Sequence, residues 1–324
     1  MVLVAGLGWW PEVALQSRNK SVEPTKQAEG EVRRRILRPI TCSILAFVAL
    51  AALCSDARAA RAVPDDNLAY PVLITRQGGG QGSGFFLNLD GATFLVTARH
   101  VLFKPGTDDL LAPEAETLSY AKEPGDTGKN IIQLDLAALK QAGNIKGHPT
   151  HDVAVIRVGV PIPGSEPQAL KSVAGVTVKE TARSGILGVA QSSVKRFAEV
   201  LTANQVFIFG FPGSIGLKDL PQIDYLRPLL RAGVVAGTNE RARTIILDCP
   251  AYRGNSGGPV IEVEEQGFLG KKFRIIGVVT EFVPVAETWP IAGASPHVTT
   301  THISNSGYAV AIPMDFVLGL TSQF

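Results

Sequence analysis

The chain has 324 residues, a formal net charge of +2, and is 45% hydrophobic and 19% charged. That is too apolar for a disordered polymer and long enough for one large or two modest domains around a substantial core. Near-balanced charge without a basic patch argues against a nucleic-acid partner, and 33 glycines and 21 prolines among short apolar runs favour strands and turns over long helices.

Residues 1–31 carry no usable pattern and read as unassigned: a segment without its own fold, or one upstream of the true start. Arg33-Arg34-Arg35 and Arg38 then form a basic region, residues 40–53 an apolar run, and Ala57-Arg58-Ala59 a small-residue cleavage site. This is the layout of a secretory signal peptide over 32–59, which predicts export to the periplasm or beyond it. The apolar run is shorter than the roughly 20 residues a spanning helix needs, so no membrane span is expected after cleavage; an uncleaved anchor is the alternative. Cys54 follows the bulky Leu53, which disfavours lipid attachment, and the arginine run also fits a twin-arginine signal. Cys42 and Cys54 fall in the signal, so the domain at 60–324 keeps Cys249 alone and has no internal disulfide.

Strand signals begin near residue 69. Residues 69–75 read as a first strand, Gly78 to Gly84 as a flexible turn, and residues 85–89 and 93–97 as a hairpin around Asp90-Gly91. The hairpin runs into Thr97-Ala98-Arg99-His100-Val101. His100 is either a core histidine satisfied by a neighbour or a general base, since imidazole titrates near neutral pH. Residues 104–126 read as a surface loop and 131–143 as strand then turn. His148-Pro149-Thr150-His151-Asp152 precedes the apolar run from Val153. A carboxylate at the start of a buried strand is costly unless paired, so Asp152 is a turn residue or the partner of an imidazole. His148 and His151 lack further ligands at familiar spacing, so no metal is expected.

Arg253-Gly254-Asn255-Ser256-Gly257-Gly258-Pro259-Val260 is the most informative stretch. Small residues let a backbone bend sharply and aim N–H groups at a developing oxyanion, while a single hydroxyl is held outward. The other reading is a polar surface turn.

Together, Thr97-Ala98-Arg99-His100, His151-Asp152-Val153-Ala154-Val155 and Gly254-Asn255-Ser256-Gly257-Gly258-Pro259 resemble the trypsin-like serine proteases. The nearest branch is the bacterial, disulfide-free, HtrA-like one, here without a PDZ domain. Gly82-Ser83-Gly84-Phe85, Gly210-Phe211-Pro212-Gly213 and Gly307-Tyr308-Ala309-Val310 extend the resemblance over about residues 67–320. It implies an all-β fold of two six-stranded antiparallel barrels, at about 67–170 and 197–320, joined by residues 171–195, with the site between them. It implies a His100, Asp152, Ser256 triad, an oxyanion hole from the N–H groups of Gly254 and Ser256, no cofactor, and a peptide or protein substrate. Asn255 stands where animal trypsins have the aspartate that pairs with a new N-terminus, so no zymogen-type salt bridge is expected. Arg99 has no explanation at this level.

The resemblance places Pro250 and Ala251 at the base of the specificity pocket, where trypsin has an aspartate, so Lys or Arg preference is not expected. Thr280 and Phe282 would line its wall, residues 283–304 would form a loop over the cleft, and His297 and His302 read as loop residues. Small or medium apolar side chains are the expected substrates. Two rivals stay open: a catalytically silent relative binding peptides in the same cleft, and a hydrolase of another fold. The order His100, Asp152, Ser256 argues against the second, because Gly-x-Ser-x-Gly hydrolases place their histidine after the serine.

Overall fold

The computed structural model describes residues 63–122, 126–164, 169–213, 220–267, 270–290 and 299–324. The expected signal peptide and His297 lie outside the described residues. Ten strands make the N-terminal half: β1 (Pro71–Arg76), β2 (Gln81–Leu89), β3 (Ala92–Thr97), β4 (Glu114–Tyr120), β5 (Lys129–Asp135), β6 (Ile145–Gly147), β7 (Ala154–Pro161), β8 (Leu170–Ser172), β9 (Val176–Glu180) and β10 (Gly188–Ala190). They form one curled sheet whose main path runs β6-β7-β3-β2-β1-β4-β5-β9. Six more strands, β11 (Gln205–Gly210), β12 (Leu229–Asn239), β13 (Thr244–Asp248), β14 (Pro259–Glu265), β15 (Lys271–Pro290) and β16 (Thr299–Pro313), close into a barrel. This is the two-barrel, all-β architecture expected. The N-terminal half adds short strands β6, β8, β9 and β10 to six longer ones.

Period-2 patterning explains how the two halves join. In β2, Phe85, Leu87 and Leu89 face one core while Phe86 faces another, and in β3 Phe94 and Val96 oppose Leu95. One face of this sheet packs inward, around Val72, Ile74, Ile132 and Leu134. The other packs against Phe207, Ile261 and Val278 of the closed barrel. Successive strand residues point to opposite faces, so strands apolar on both faces serve two cores at once. Each fully buried Leu or Phe contributes about 1.5–3 kcal/mol. The β2–β3 hairpin forms in the register Leu89↔Ala92 through Gly84↔Thr97, with Asp90 at φ 49° and Gly91 at φ 75°, the paired positive values that its tight turn requires.

Four sequence expectations change. The stretch 104–126 contains β4, whose buried positions include Ala115, Thr117 and Ser119, residues that give no apolar alternation. After β5 the chain turns into a helix rather than a turn. Of the short helices at Asp65–Leu68 (α1), Arg99–Leu102 (α2) and Leu136–Gln141 (α3), the last is capped by Asp135, whose side chain accepts the Ala138 N–H at 2.8 Å. Residues 171–195, expected to be a connector, supply β8, β9 and β10 to the sheet. Of the expected loop at 283–304, the described residues are instead a long two-stranded arm of β15 and β16, paired from Pro284↔Asn305 to Pro290↔Thr299. A final helix, Met314–Thr321 (α4), buries Met314, Val317 and Leu320 between the halves.

The segment joining the halves is tied down by a buried ion network. Lys195 Nζ lies 2.7 Å from Glu262 Oε2 and 2.6 Å from Glu264 Oε1, and Glu262 Oε1 accepts Asn204 Nδ2 at 2.7 Å. Burial pulls the Lys195 ammonium down, and its hydrogen bonds to both carboxylates outweigh this, leaving its pKa raised. The bond to Lys195 lowers the pKa of Glu264.

Candidate active site

β3 ends at the buried Thr97, and α2 then carries His100 on its outward side while Val101 and Leu102 go to the core. The loop before β7 is closed by the His148 N–H donating to Val153 O at 2.8 Å, which brings Asp152 opposite α2. Both Asp152 oxygens grip one residue: Oδ1 accepts the His100 backbone N–H at 2.9 Å, and Oδ2 lies 2.6 Å from His100 Nδ1. A carboxylate can only accept, so Nδ1 carries the proton and the Nε2 lone pair is left to act as base. The Asp152 side chain is 34% exposed and that of His100 47%, so this pair is half-open to solvent rather than buried as a strand-start aspartate suggested.

Arg99 gains an explanation. Its guanidinium donates to Asp108 Oδ1 at 2.9 Å and to Thr107 O at 2.5 Å, and lies over the Phe103 ring. It fastens the loop after α2 beside His100. His148 packs edge-on to His151 and to Phe316, and His151 stacks on the Phe316 ring. Burial, then the neighbouring His151, lowers the His148 pKa, and Nδ1 of His148 accepts the N–H groups of Thr150 and His151 at 3.3 and 3.1 Å. No cluster of three metal-ligating side chains occurs among the described residues.

The serine loop is set by two glycines. Gly254 has φ +99°, and a Cβ there would sit 2.3 Å from Phe211 O; Gly257 has φ +92°, and a Cβ would sit 2.0 Å from Ser83 O. No side chain fits either position. Asn255 is buried and folds its side chain back onto its own loop, accepting the Tyr252 N–H at 3.0 Å. The N–H groups of Gly254 and Ser256 donate to no acceptor among the described residues. The Ser256 hydroxyl donates to Thr280 O at 3.0 Å, and no hydrogen bond joins it to His100. Hydrogen bonds between catalytic groups are often loose without substrate.

Sequence reasoning passed over Ser83 as a functional residue. It is fully buried, its Oγ donates to Gly254 O at 2.6 Å and accepts the Phe211 N–H at 2.9 Å, and its own N–H donates to Ser256 O at 2.8 Å. Thr97 Oγ1 in turn donates to Ser83 O at 2.7 Å. The N-terminal half thus holds the serine loop by its backbone carbonyls. Gly82-Ser83-Gly84-Phe85 marked the resemblance but not this role, because the partner lies far along the chain.

His100, Asp152 and Ser256 line one cavity of about 370 Å³ with Ala251, Thr280 and Phe282. Pro250 does not line it. Tyr252 and Arg253, immediately before the glycine-serine motif, do, as do Glu281 and Pro284. Ala251 is buried and Thr280 turns its hydroxyl to Val310 O at 3.2 Å, so their part of the lining is uncharged, while Arg253 and Glu281 place charges on the rest. His302 pairs with Glu287 on the arm and does not line the cavity. Burial pushes the Cys249 thiol up to about 11, which keeps it protonated.

A family model for the trypsin-like peptidase domain matches residues 82–270, a span that contains His100, Asp152 and Ser256. The chain belongs to the trypsin-like peptidase family. Solved structures similar to this member include the HtrA-type protease AlgW with a tripeptide, at 16% identity over 79% of this chain and 60% of that one, with a TM-score of 0.41. Deg5 is 20% identical over 78% and 88% of the two chains (TM-score 0.43), and human heparin binding protein 11% identical over 82% and 96% (TM-score 0.46). The peptidase-family chain spans less than two thirds of the AlgW chain. No curated protein sequence matches it. Among the described residues no helix is long and apolar enough to cross a membrane.

Proposed function

We propose that the protein is an exported serine endopeptidase that cleaves peptide bonds through an acyl-enzyme. Ser256 Oγ attacks the scissile carbonyl while His100 Nε2 takes its proton. Asp152 holds the ring and stabilises the imidazolium, and the N–H groups of Gly254 and Ser256 receive the oxyanion. His100 then gives the proton to the leaving amine, and water, deprotonated by the same nitrogen, releases the acyl half. The observation that carries this reading is the two-oxygen grip of Asp152 on His100 beside a serine whose loop leaves two backbone donors unused. Asn255 bonds within its own loop, which supports activity without a new N-terminus. The uncharged lining at Ala251, Val279 and Thr280 supports cleavage after small or medium apolar residues.

A second reading, a silent member that binds peptides in this cleft, is favoured by the Ser256 hydroxyl being committed to Thr280 O. Labelling of the full chain with a fluorophosphonate separates the two. Labelling of the parent, absent in Ser256→Ala and reduced in His100→Ala, supports the protease. A folded parent that stays unlabelled supports the binder.

A further inference from the structure

The turn that presents Asp152 is closed by a ring nitrogen as well as by backbone. His148 Nδ1 accepts the N–H groups of Thr150 and His151 at 3.3 and 3.1 Å. Two backbone bonds complete the turn, from His148 N–H to Val153 O and from Val153 N–H to His151 O, each at 2.8 Å. Asp152 sits inside it and turns both oxygens on His100. A ring nitrogen that accepts carries no proton, so this turn requires the neutral His148 tautomer with its hydrogen on Nε2. Protonation makes Nδ1 a donor aimed at two donors, and neither backbone N–H can reverse. The Thr150 hydroxyl, 3.5 Å from the same nitrogen, is too distant to take the new proton in a good bond. His151 differs. Its Nδ1 faces that hydroxyl at 3.0 Å, and a hydroxyl can donate to a neutral ring or accept from a charged one. Of the two histidines, His148 is the one whose protonation must break bonds in the turn.

We propose that His148 is a positioning residue for the His100–Asp152 pair, and that its protonation disengages the pair. As a neutral ring it holds Thr150 and His151 in the turn that aims Asp152 at His100. As a cation it releases both N–H groups, and Asp152 loses its aim. Activity then falls in acid through two protons, one on His100 and one on His148. The surroundings fit this role. Facing the ring are His151 and Asp152 from its own loop, and Arg99, Asp108 and His100 across a cavity of about 420 Å³. Asp108 is engaged with Arg99 at 2.9 Å and Asp152 with His100, so neither carboxylate stands free to hold a charged His148. The helix α4 contributes the uncharged Phe316 ring, while its Asp315 accepts the Phe197 N–H at 2.7 Å and lies 3.6 Å from Arg243. Lys146, on β6, donates to Gln323 O at 2.8 Å. Burial, then His151, lowers the His148 pKa, so the fold favours the neutral ring and the turn opens only in acid.

This inference rests on the protease reading and is tested so that the two can fail separately. The full chain is compared with His148→Ala, which removes the acceptor, and His148→Asn, whose Oδ1 replaces Nδ1 and does not titrate. Cleavage of a short apolar peptide, with kcat expressed per titrated active site, is followed from about pH 9 to about pH 5, above the ordinary carboxylate range. On the acid side the parent's kcat/KM should fall with the second power of proton concentration, and that of His148→Asn with the first power. At about pH 8, above the ordinary imidazole range, His148→Ala should lose roughly 10–100-fold in kcat with KM nearly unchanged, and His148→Asn should recover most of that loss. NMR reads the same events without turnover. The proton in the 2.6 Å bond between His100 Nδ1 and Asp152 Oδ2 is strongly deshielded, and protonating His100 leaves it in place. Its signal should be present in the parent and in His148→Asn, absent in His148→Ala, and lost from the parent as His148 titrates. The Thr150 and His151 amides should lose their exchange protection over the same pH range. A first-power acid limb in the parent, wild-type kcat in His148→Ala, or amides still protected once His148 is charged overturns the proposal. If His148→Ala does not fold, the parent and His148→Asn profiles decide it. Should the parent not cleave at all, the protease reading fails, and the deshielded proton and the two amides still decide what His148 does.

Discussion

Replacing Ser83 with alanine removes one oxygen atom from a buried site and should disable the serine loop from a distance. Two groups lose their partner: the Gly254 carbonyl, held at 2.6 Å, and the Phe211 N–H, held at 2.9 Å. A buried polar group left unpaired costs about 1–3 kcal/mol, so with two such groups the unfolding free energy should fall by about 2–6 kcal/mol. The functional effect comes from geometry. The peptide before Gly254 is pinned by Gly213 N–H on Arg253 O at 2.9 Å, and the peptide after it by Ser83 Oγ. With the second pin gone, Gly254 is held on one side only, and the aim of its N–H at the proposed oxyanion position is loosened. Outright loss of one such donor costs about 10²–10³ in turnover; loosening it should cost about 10–100-fold. The assay is kcat and KM on a short apolar peptide with active-site titration, beside urea unfolding of the same protein. The expected result is a fall in kcat with KM nearly unchanged. Wild-type kcat in a variant that is only less stable, or a rise in KM alone, would refute the argument that Ser83 positions the oxyanion donors.

Lys195→Met should destabilise the protein by about 3–5 kcal/mol, because it leaves Glu262 buried without its counter-ion. Urea unfolding measures this, and Lys195→Met with Glu262→Leu should recover part of the loss, since the uncompensated buried charge is gone while Asn204 Nδ2 and the Leu201 N–H lose their acceptor. For His148 the sign follows from its lowered pKa: the folded state prefers the neutral ring, so its contribution is complete above about pH 6.5 and is lost as pH falls through the folded value below that. His148→Asn keeps an acceptor near Nδ1 without titrating. The midpoint of thermal unfolding should therefore fall less in this variant between neutral and mildly acidic pH; identical slopes would show that His148 does not contribute.

Much of the site was legible because it is local. The run around Ser256 needs its small residues for reasons of backbone geometry within a few positions, and Gly254 and Gly257 do carry positive φ. The strands with continuous apolar runs, β2, β3 and β7, were visible for the same reason. β4 was hidden because its inward positions hold Ala, Thr and Ser. The arm was hidden because both of its faces are exposed and mix polar with apolar residues, and because it contains Pro284 and Pro290, so nothing in its composition distinguishes a ribbon from a loop. The helix α3 spans too few residues to show a period, and only Asp135 before Leu136 marked it.

The sequence by itself determined the family and the order of His100, Asp152 and Ser256, since each rests on residue type and short spacing. Only the tertiary structure decided what lies across the chain from what. It set Ser83 against Gly254, turned the Ser256 hydroxyl to Thr280, and removed Pro250 from the cavity in favour of Tyr252. These are contacts between segments far apart in sequence. Their partners are chosen by how two sheets pack, which no local period encodes.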